Sequence, residues 1–189
     1  MANVYRTYEL LIKFFTPKKY VYDHAEFKNR LKNTQPEFTT DEYVSYKALY
    51  LTDLTTPWFE GLNHGSYGLN STFKCNYHNF PDLNCTCGFH SYKNYESALY
   101  ESKLRFGTIV AQIDNYGDII EHELGYRSEE QHIKKLYIVD SCSKIFCKEN
   151  ITNFSRNKNI LTPRCNKHKG SETHELTELA IEYQLVANN

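Results

Sequence analysis

The six cysteines of this chain fall into two sets, each with histidine close by. That placement constrains the fold more than any hydrophobic pattern does. The first set is Cys75, Cys85, Cys87 and His90, with His78 as a competing member. The second is Cys142-x4-Cys147 followed by Cys165-x2-His168, with Pro163 before the second pair and Gly170 after it. Thiolate and imidazole are the groups zinc prefers, and four of them close a tetrahedral structural site. In the first set, Gly88 lets the backbone turn so that neighbouring thiolates point at one ion. The spacing there is not that of a standard finger. The second set resembles the paired knuckles of a zinc ribbon, with a loop between the pairs that can fold back. Together the sets use every cysteine, which favours metal ligation over redox chemistry or a catalytic thiol. The expected cofactor is zinc, as one or two structural ions. The plain alternatives are reduced core cysteines for the first set and incidental cysteines in a tail for the second.

The metal reading assumes a reducing compartment. Leu10 to Phe15 is too short for a signal core or a membrane span, and Lys13 interrupts it. A cytoplasmic location is therefore expected, where clustered thiols bind metal more often than they pair as disulfides. On the same reading the Asn-x-Ser/Thr triplets at Asn70, Asn84, Asn150 and Asn153 are chance.

A chain of 189 residues supports one core with at most a small appended module. Its 16 Tyr and 11 Phe suit half-buried strands. The expected class is α+β and β-rich. It comprises a compact sheet or partial barrel with a zinc-stapled loop, a small C-terminal zinc knuckle and a terminal helix. Residues 1–140 are expected to form the β-rich core domain. Residues 141–189 are expected to form a basic knuckle segment and a helix packed on it. Alternating patterns predict strands over 3–15, 43–51, 104–113, 118–123 and 131–139. Helices are expected over 23–32, 94–104 and 171–186, and a loop over 62–69. Asn115-Tyr116-Gly117 reads as a hairpin turn, and Gly125 as a positive-φ turn after the next strand. In the last helix Ser171 is the cap, and Leu176, Leu179, Ala180 and Tyr183 form an apolar stripe most simply used for packing. Trp58, the only tryptophan, reads first as a core anchor and second as a stacking platform.

The net charge of −1 exerts no global pull on nucleic acid or acidic membranes. Locally the balance differs. Residues 141–170 contain Lys144, Lys148, Arg156, Lys158, Arg164, Lys167 and Lys169 against Glu149 alone, an excess of six positive charges. Phe146, Phe154 and several Asn interleave with them. A basic, metal-folded module with aromatics is a nucleic-acid surface by composition, or else a solvated loop balanced by the glutamates that follow.

A second polar concentration is Glu121-His122-Glu123 with Arg127. Histidine beside carboxylates can act as a general base, and arginine can hold an anion. The plainer reading is an ion-pair cluster that pins the turn, Arg127 to a glutamate.

Pro57-Trp58-x-x-Gly61, Cys75, Cys85-x-Cys87-Gly88-Phe89-His90-Ser91, Gly107-x-Ile109-Val110 and Gly117-x-Ile119-Ile120-Glu121-His122-Glu123-x-Gly125-Tyr126-Arg127-Ser128-Glu129 follow in order. Over roughly residues 57–138 this order resembles an uncharacterised family of small bacterial and mobile-element proteins. Tyr116 stands where that family usually has Trp, Ser91 and Ser128 stand where it has Ala, and the N-terminal third is expanded. The resemblance implies that the Cys-x-Cys and Gly-Tyr-Arg stretches pack as one unit, in a phage, plasmid or host-interaction setting. It implies no activity.

The expectation is thus a non-enzymatic, zinc-stabilised binding protein whose ligand is nucleic acid or a partner protein. The alternative is an enzyme acting on a nucleotide or other anion, with His122, Glu123 and Arg127 at its site and His64 nearby. A third reading is a protein that sequesters a partner through the C-terminal helix or an aromatic face.

Overall fold

A computed structural model describes residues 38–39, 43–54, 59–61, 65–72, 87–105 and 107–186. The strand expected over 3–15, the helix over 23–32, and Trp58 and His64 lie outside these residues.

The framework is a pair of long strands, β7 (Thr108–Glu121) and β8 (Gly125–Val139). In chain order the strands before them are β1 (Phe38–Thr39), β2 (Tyr43–Leu51), β3 (Phe59–Gly61), β4 (Gly65–Tyr67), β5 (Asn70–Thr72) and β6 (Phe89–Tyr92). Those after are β9 (Asn153–Asn157), β10 (Ile160–Arg164), β11 (Thr173–Glu175) and β12 (Tyr183–Val186). The β-rich expectation holds, with one α-helix among the described residues, α1 (Tyr95–Leu104). Asn94 caps α1, its side chain accepting from Ser97 N–H at 2.9 Å.

Strand β2 alternates as expected. Ser45, Lys47, Leu49 and Leu51 face one side, and Val44, Tyr46 and Ala48 face the other. It pairs antiparallel with β7, Tyr43 opposite Asn115 through Tyr50 opposite Thr108. Strand β7 pairs with β8, β8 with β6, and β6 returns to β2 through Tyr46 opposite Tyr92. The four strands form a closed circuit of hydrogen-bonded neighbours. One face carries the main core of Leu49, Leu51, Phe89, Ile109, Ile113, Ile133, Leu136, Ile138, Phe154 and Leu161. The other face packs Tyr46, Tyr92 and Val110 against Ala98 and Leu99 of α1.

Two register shifts bend the β7–β8 pair. At the first, Gln112 faces Lys135 but Ile113 faces Ile133, so Lys134 is the extra residue. The shift lets Ile133 share the core face with Leu136 and Ile138, which strict alternation would forbid. The second lies between Tyr116 and Ile119, and it corrects the expected hairpin. Asn115-Tyr116-Gly117 does not reverse the chain. It forms a bulge inside one continuous strand, with Gly117 at φ 71°. The reversal comes at His122–Leu124, closed by His122 N–H donating to Gly125 O at 2.8 Å.

Gly125 is the next correction. It begins β8 without positive φ, and glycine is needed because β6 crosses it. A Cβ there would lie 2.1 Å from the Ser91 carbonyl oxygen. The stretch expected to be a loop over 62–69 contains β4, paired with β3.

The terminal helix expected over 171–186 is absent. That segment is β11 paired with β9, a 3-10 turn (Leu176–Glu178), and β12 paired parallel with β8. Leu176, Leu179, Ile181 and Tyr183 still pack on the main core, but from a 3-10 turn, the extended link after it and the first residue of β12. Spacings of three and two mimic a helical stripe over so short a span. Pairing with β8 and β9 occupies backbone groups that an isolated helix would leave on those strands.

Buried at the second bulge, Asn115 is fully shielded from solvent. Its Oδ1 accepts from Ser128 Oγ at 2.9 Å, Gln131 Nε2 at 2.9 Å and Ser91 Oγ at 3.3 Å. Its Nδ2 donates to Ser45 Oγ at 2.7 Å and Tyr43 O at 2.8 Å. Replacing Asn115 by Ala strands several buried polar groups, each costing about 1–3 kcal/mol. Asn115→Ala is therefore expected to lower urea-unfolding stability by ~3 kcal/mol or more. A turn asparagine would change it by only a few tenths, and that result would remove the hub role.

Candidate metal centre

Two chain segments meet beyond the end of β8. The first arm runs from Ser141 to Asn150, which bridge each other. Cys142 N–H donates to Glu149 O at 2.9 Å, and Cys147 N–H to Lys144 O at 2.9 Å. The second bond closes a turn over Lys144–Cys147 whose third residue, Phe146, takes φ 62°. The second arm leaves β10 at Arg164. A 3-10 turn follows, with His168 N–H donating to Cys165 O at 3.0 Å. Ser143 N–H donates to Pro163 O at 3.0 Å and joins the arms.

These arms bring together Cys142, Cys147, Cys165 and His168, the second set read from the sequence. Their ligand atoms all lie within 4.8 Å of one another. Cys147 Sγ is 3.9 Å from Cys165 Sγ, too far for a disulfide. His168 Nδ1 is 3.3 Å from Cys165 Sγ and 3.7 Å from Cys142 Sγ. Burial alone would raise the Cys142 thiol, but backbone donors from Cys165 and Lys144, with His168, bring it down to about 7. Of these, Lys144 N–H lies 3.5 Å from Cys142 Sγ. Cys147 is pushed the other way. The backbone at Glu149 lowers it, but burial and the sulfurs of Cys165 and Cys142 outweigh that effect. Sulfurs this close resist ionising together unless a cation joins them. The donor set suits a metal ion.

Of the first set, Cys75, Cys85 and His78 lie outside the described residues. Cys87 is buried just before β6, and His90 is half-buried on β6 opposite Arg127.

Beside the metal set lies a cleft of about 260 Å³. Lys144, Arg156, Arg164 and Lys169 line it, with His168, Ser155, Thr162, Asn157 and Gly170. Four of the seven expected basic residues thus converge. Lys148 and Lys158 are exposed and do not line it, and Lys167 pairs with Glu149 at 2.6 Å. Arg156 is oriented by Glu172 at 2.5 Å and by Thr52 O at 3.3 Å. Ser155 and Thr162 were not singled out from the sequence. They face each other across the β9–β10 pair, and Gly170 N–H donates to Ser155 Oγ at 2.9 Å. Only that register, which composition does not reveal, marks them as lining residues. Of the interleaved aromatics, Phe154 is fully buried in the core while Phe146 is exposed.

The Glu-His-Glu stretch is divided between interior and surface. His122 and Arg127 are buried, and Glu123 is exposed at the hairpin tip. Glu121 pairs with Lys93. Burial, then the charges of Arg127 and Lys93, push the His122 imidazole down to about 4.

No protein-family model, curated protein or solved structure matches this chain. No helix among the described residues is long and apolar enough to cross a membrane.

The lowered His122 value has a pH consequence. An unfolded histidine takes its proton near 6.5, and the folded one resists until about 4. Its share of stability is therefore complete above 6.5 and falls as pH drops toward 4. Urea midpoints should decline from pH 6.5 to 5 in the parent chain and decline less in His122→Gln. Equal declines in both would show that His122 contributes nothing.

Proposed function

We propose that this chain is a non-enzymatic, zinc-stabilised nucleic-acid-binding protein. The observation that carries the reading is the gathering of Cys142, Cys147, Cys165 and His168 beside a cationic cleft to which His168 itself contributes. Tetrahedral zinc with Zn–S near 2.3 Å requires ligand separations of about 3.8 Å between sulfurs and about 3.6 Å between sulfur and nitrogen. Three of the six separations, 3.9, 3.7 and 3.3 Å, lie near those values, and the others are within 4.8 Å. Three soft thiolates with one imidazole disfavour magnesium and calcium, and four protein ligands leave no open position for substrate. The ion is structural.

Chemistry favours nucleic acid over a protein partner. No apolar side chain lines the cleft, whereas the centres of protein interfaces are apolar and aromatic. Cations, hydroxyls and an amide are phosphate-binding groups. The phage or plasmid setting and the cytoplasmic location follow the family resemblance and the cysteine usage.

Two measurements test the reading. Elemental analysis of Cys165→Ser should find one zinc fewer per chain than the parent, and unchanged zinc content would remove the metal centre. Titration of a labelled oligonucleotide should show log affinity falling linearly with log salt, with a slope of about −0.7 to −0.9 per phosphate contacted. No binding at low salt, or binding without a slope, would end the nucleic-acid reading.

A further inference from the structure

Phe146 carries two costs at once. It is 89 % exposed, far beyond Val44 and Leu185 at 47 %, the other exposed large apolar residues among those described. It also takes φ 62°, a conformation in which Gly or Asn is cheaper. The turn needs that φ, but Gly or Asn would supply it at less cost, and the exposed ring buries nothing for the core. The turn that holds it is fixed on both flanks, since Cys142 and Cys147 belong to the metal set and Cys147 N–H bonds to Lys144 O at 2.9 Å. Lys144, the first residue of that turn, lines the cationic cleft. One four-residue turn therefore presents an aromatic face to solvent and an ammonium to the cleft.

The cleft has charge to spare. Arg156 is paired with Glu172, but Lys144, Arg164 and Lys169 have no ion-pair partner among the described residues. Its volume of about 260 Å³ is below the usual range for drug-sized ligands, about 300–1,000 Å³. No Phe, Tyr or Trp lines it, and its one ring, His168, belongs to the metal set, so the cleft offers no free aromatic platform for a base.

We propose that the Phe146 ring stacks on a base of single-stranded nucleic acid whose backbone phosphate sits in the cleft of Lys144, Arg156, Arg164 and Lys169. The inference rests on the nucleic-acid reading above and narrows it. Bases in a duplex have their faces covered by their neighbours, so an exposed ring finds a partner only on an unstacked base. Every base has a π-face, and the cationic lining of the cleft is suited to phosphate whatever the base attached to it. The binding is therefore tolerant of sequence.

The test is fluorescence anisotropy with the zinc-loaded full chain. The probes are a short thymidine oligonucleotide and a mixed-sequence duplex of equal length, each titrated across salt. The single strand should bind more tightly than the duplex. Phe146→Ala should weaken single-strand binding by about 5- to 150-fold, the range for one lost base stack, and leave the salt slope unchanged. Phe146→Tyr should restore it. Arg164→Gln should weaken binding and reduce the slope by about 0.7. Equal affinity for the two probes, or an inert Phe146→Ala with the slope intact, overturns the stacking and leaves a basic nucleic-acid surface standing. Competition by thymidine monophosphate, equal to that of the oligonucleotide per nucleotide, overturns it in favour of a mononucleotide site. Failure of every nucleic acid to bind at low salt removes both proposals.

Discussion

The antiparallel pairing of β7 with β8 is the constraint on which the rest of the structure depends. Strands β1 and β2 add to β7, while β5, β6 and β12 add to β8. The pair is joined by a short reversal, so its closure costs little chain entropy. Unbulged strands of that length would make a uniformly twisted ribbon. The extra residue in β8 at Lys134 and the bulge at Gly117 in β7 bend it, and bent strands let β2 and β6 meet at Tyr46 and Tyr92. The Asn115 hub lies at the second bulge and bonds residues of β2, β6 and β8 at once. Slipping any of those strands by one residue would leave its polar side chain buried without its partner.

The metal arms depend on that framework through the β9–β10 hairpin. Phe154 and Leu161 anchor the hairpin in the main core, and Leu161 pairs with Leu51 of β2. At its open end Arg164 pairs with Asn153, and Thr152 N–H donates to Arg164 O at 2.9 Å. One strand there continues back toward Cys147 and the other forward to Cys165. The sheet thus brings the arms together, and a metal ion would lock an arrangement already part-formed. Preorganisation of this kind leaves more of the metal's binding energy to hold the turn carrying Lys144 and Phe146 in one shape.

What the sequence revealed follows what local spacing can encode. Ligand sets are written as short intervals plus a return, so the second set was legible before its geometry was known. The strand over 43–51 carries a clean period and was legible for the same reason. The helix over 94–104 was legible from its Asn94 cap and helix-forming residues, although its buried face is Ala98, Glu101 and Ser102. Asn115 was not. An asparagine two residues before a glycine has the signature of a turn, and nothing local distinguishes that from a bulge whose asparagine faces a buried polar cluster. Gly125 was misread similarly, because a glycine chosen for close backbone approach looks the same as one chosen for φ. The C-terminal segment failed through its brevity, since residues 176–183 fit two periods and tertiary pairing decided between them. The cleft was half legible. The charge excess is compositional, but only the strand register and the knuckle turn select Lys144, Arg156, Arg164 and Lys169 from the seven.

The donor set would give the basic cleft a local counter-charge if it held zinc. Zinc bound by three thiolates and a neutral imidazole carries a net charge of −1, whereas two thiolates and two imidazoles would carry none. With zinc bound there, Lys144, Arg164 and Lys169, which have no ion-pair partner among the described residues, would have a negative centre beside them. That centre would relieve their mutual repulsion, and they in turn would favour the ionised sulfurs. Loss of the ion would favour neutral thiols at Cys147 more than at Cys142, weaken the counter-charge and leave the turn held by its backbone hydrogen bonds alone. On this account the metal's electrostatic and structural roles cannot be separated, because the ligands that shape the knuckle are also the anions that make a cationic cleft tolerable beside it.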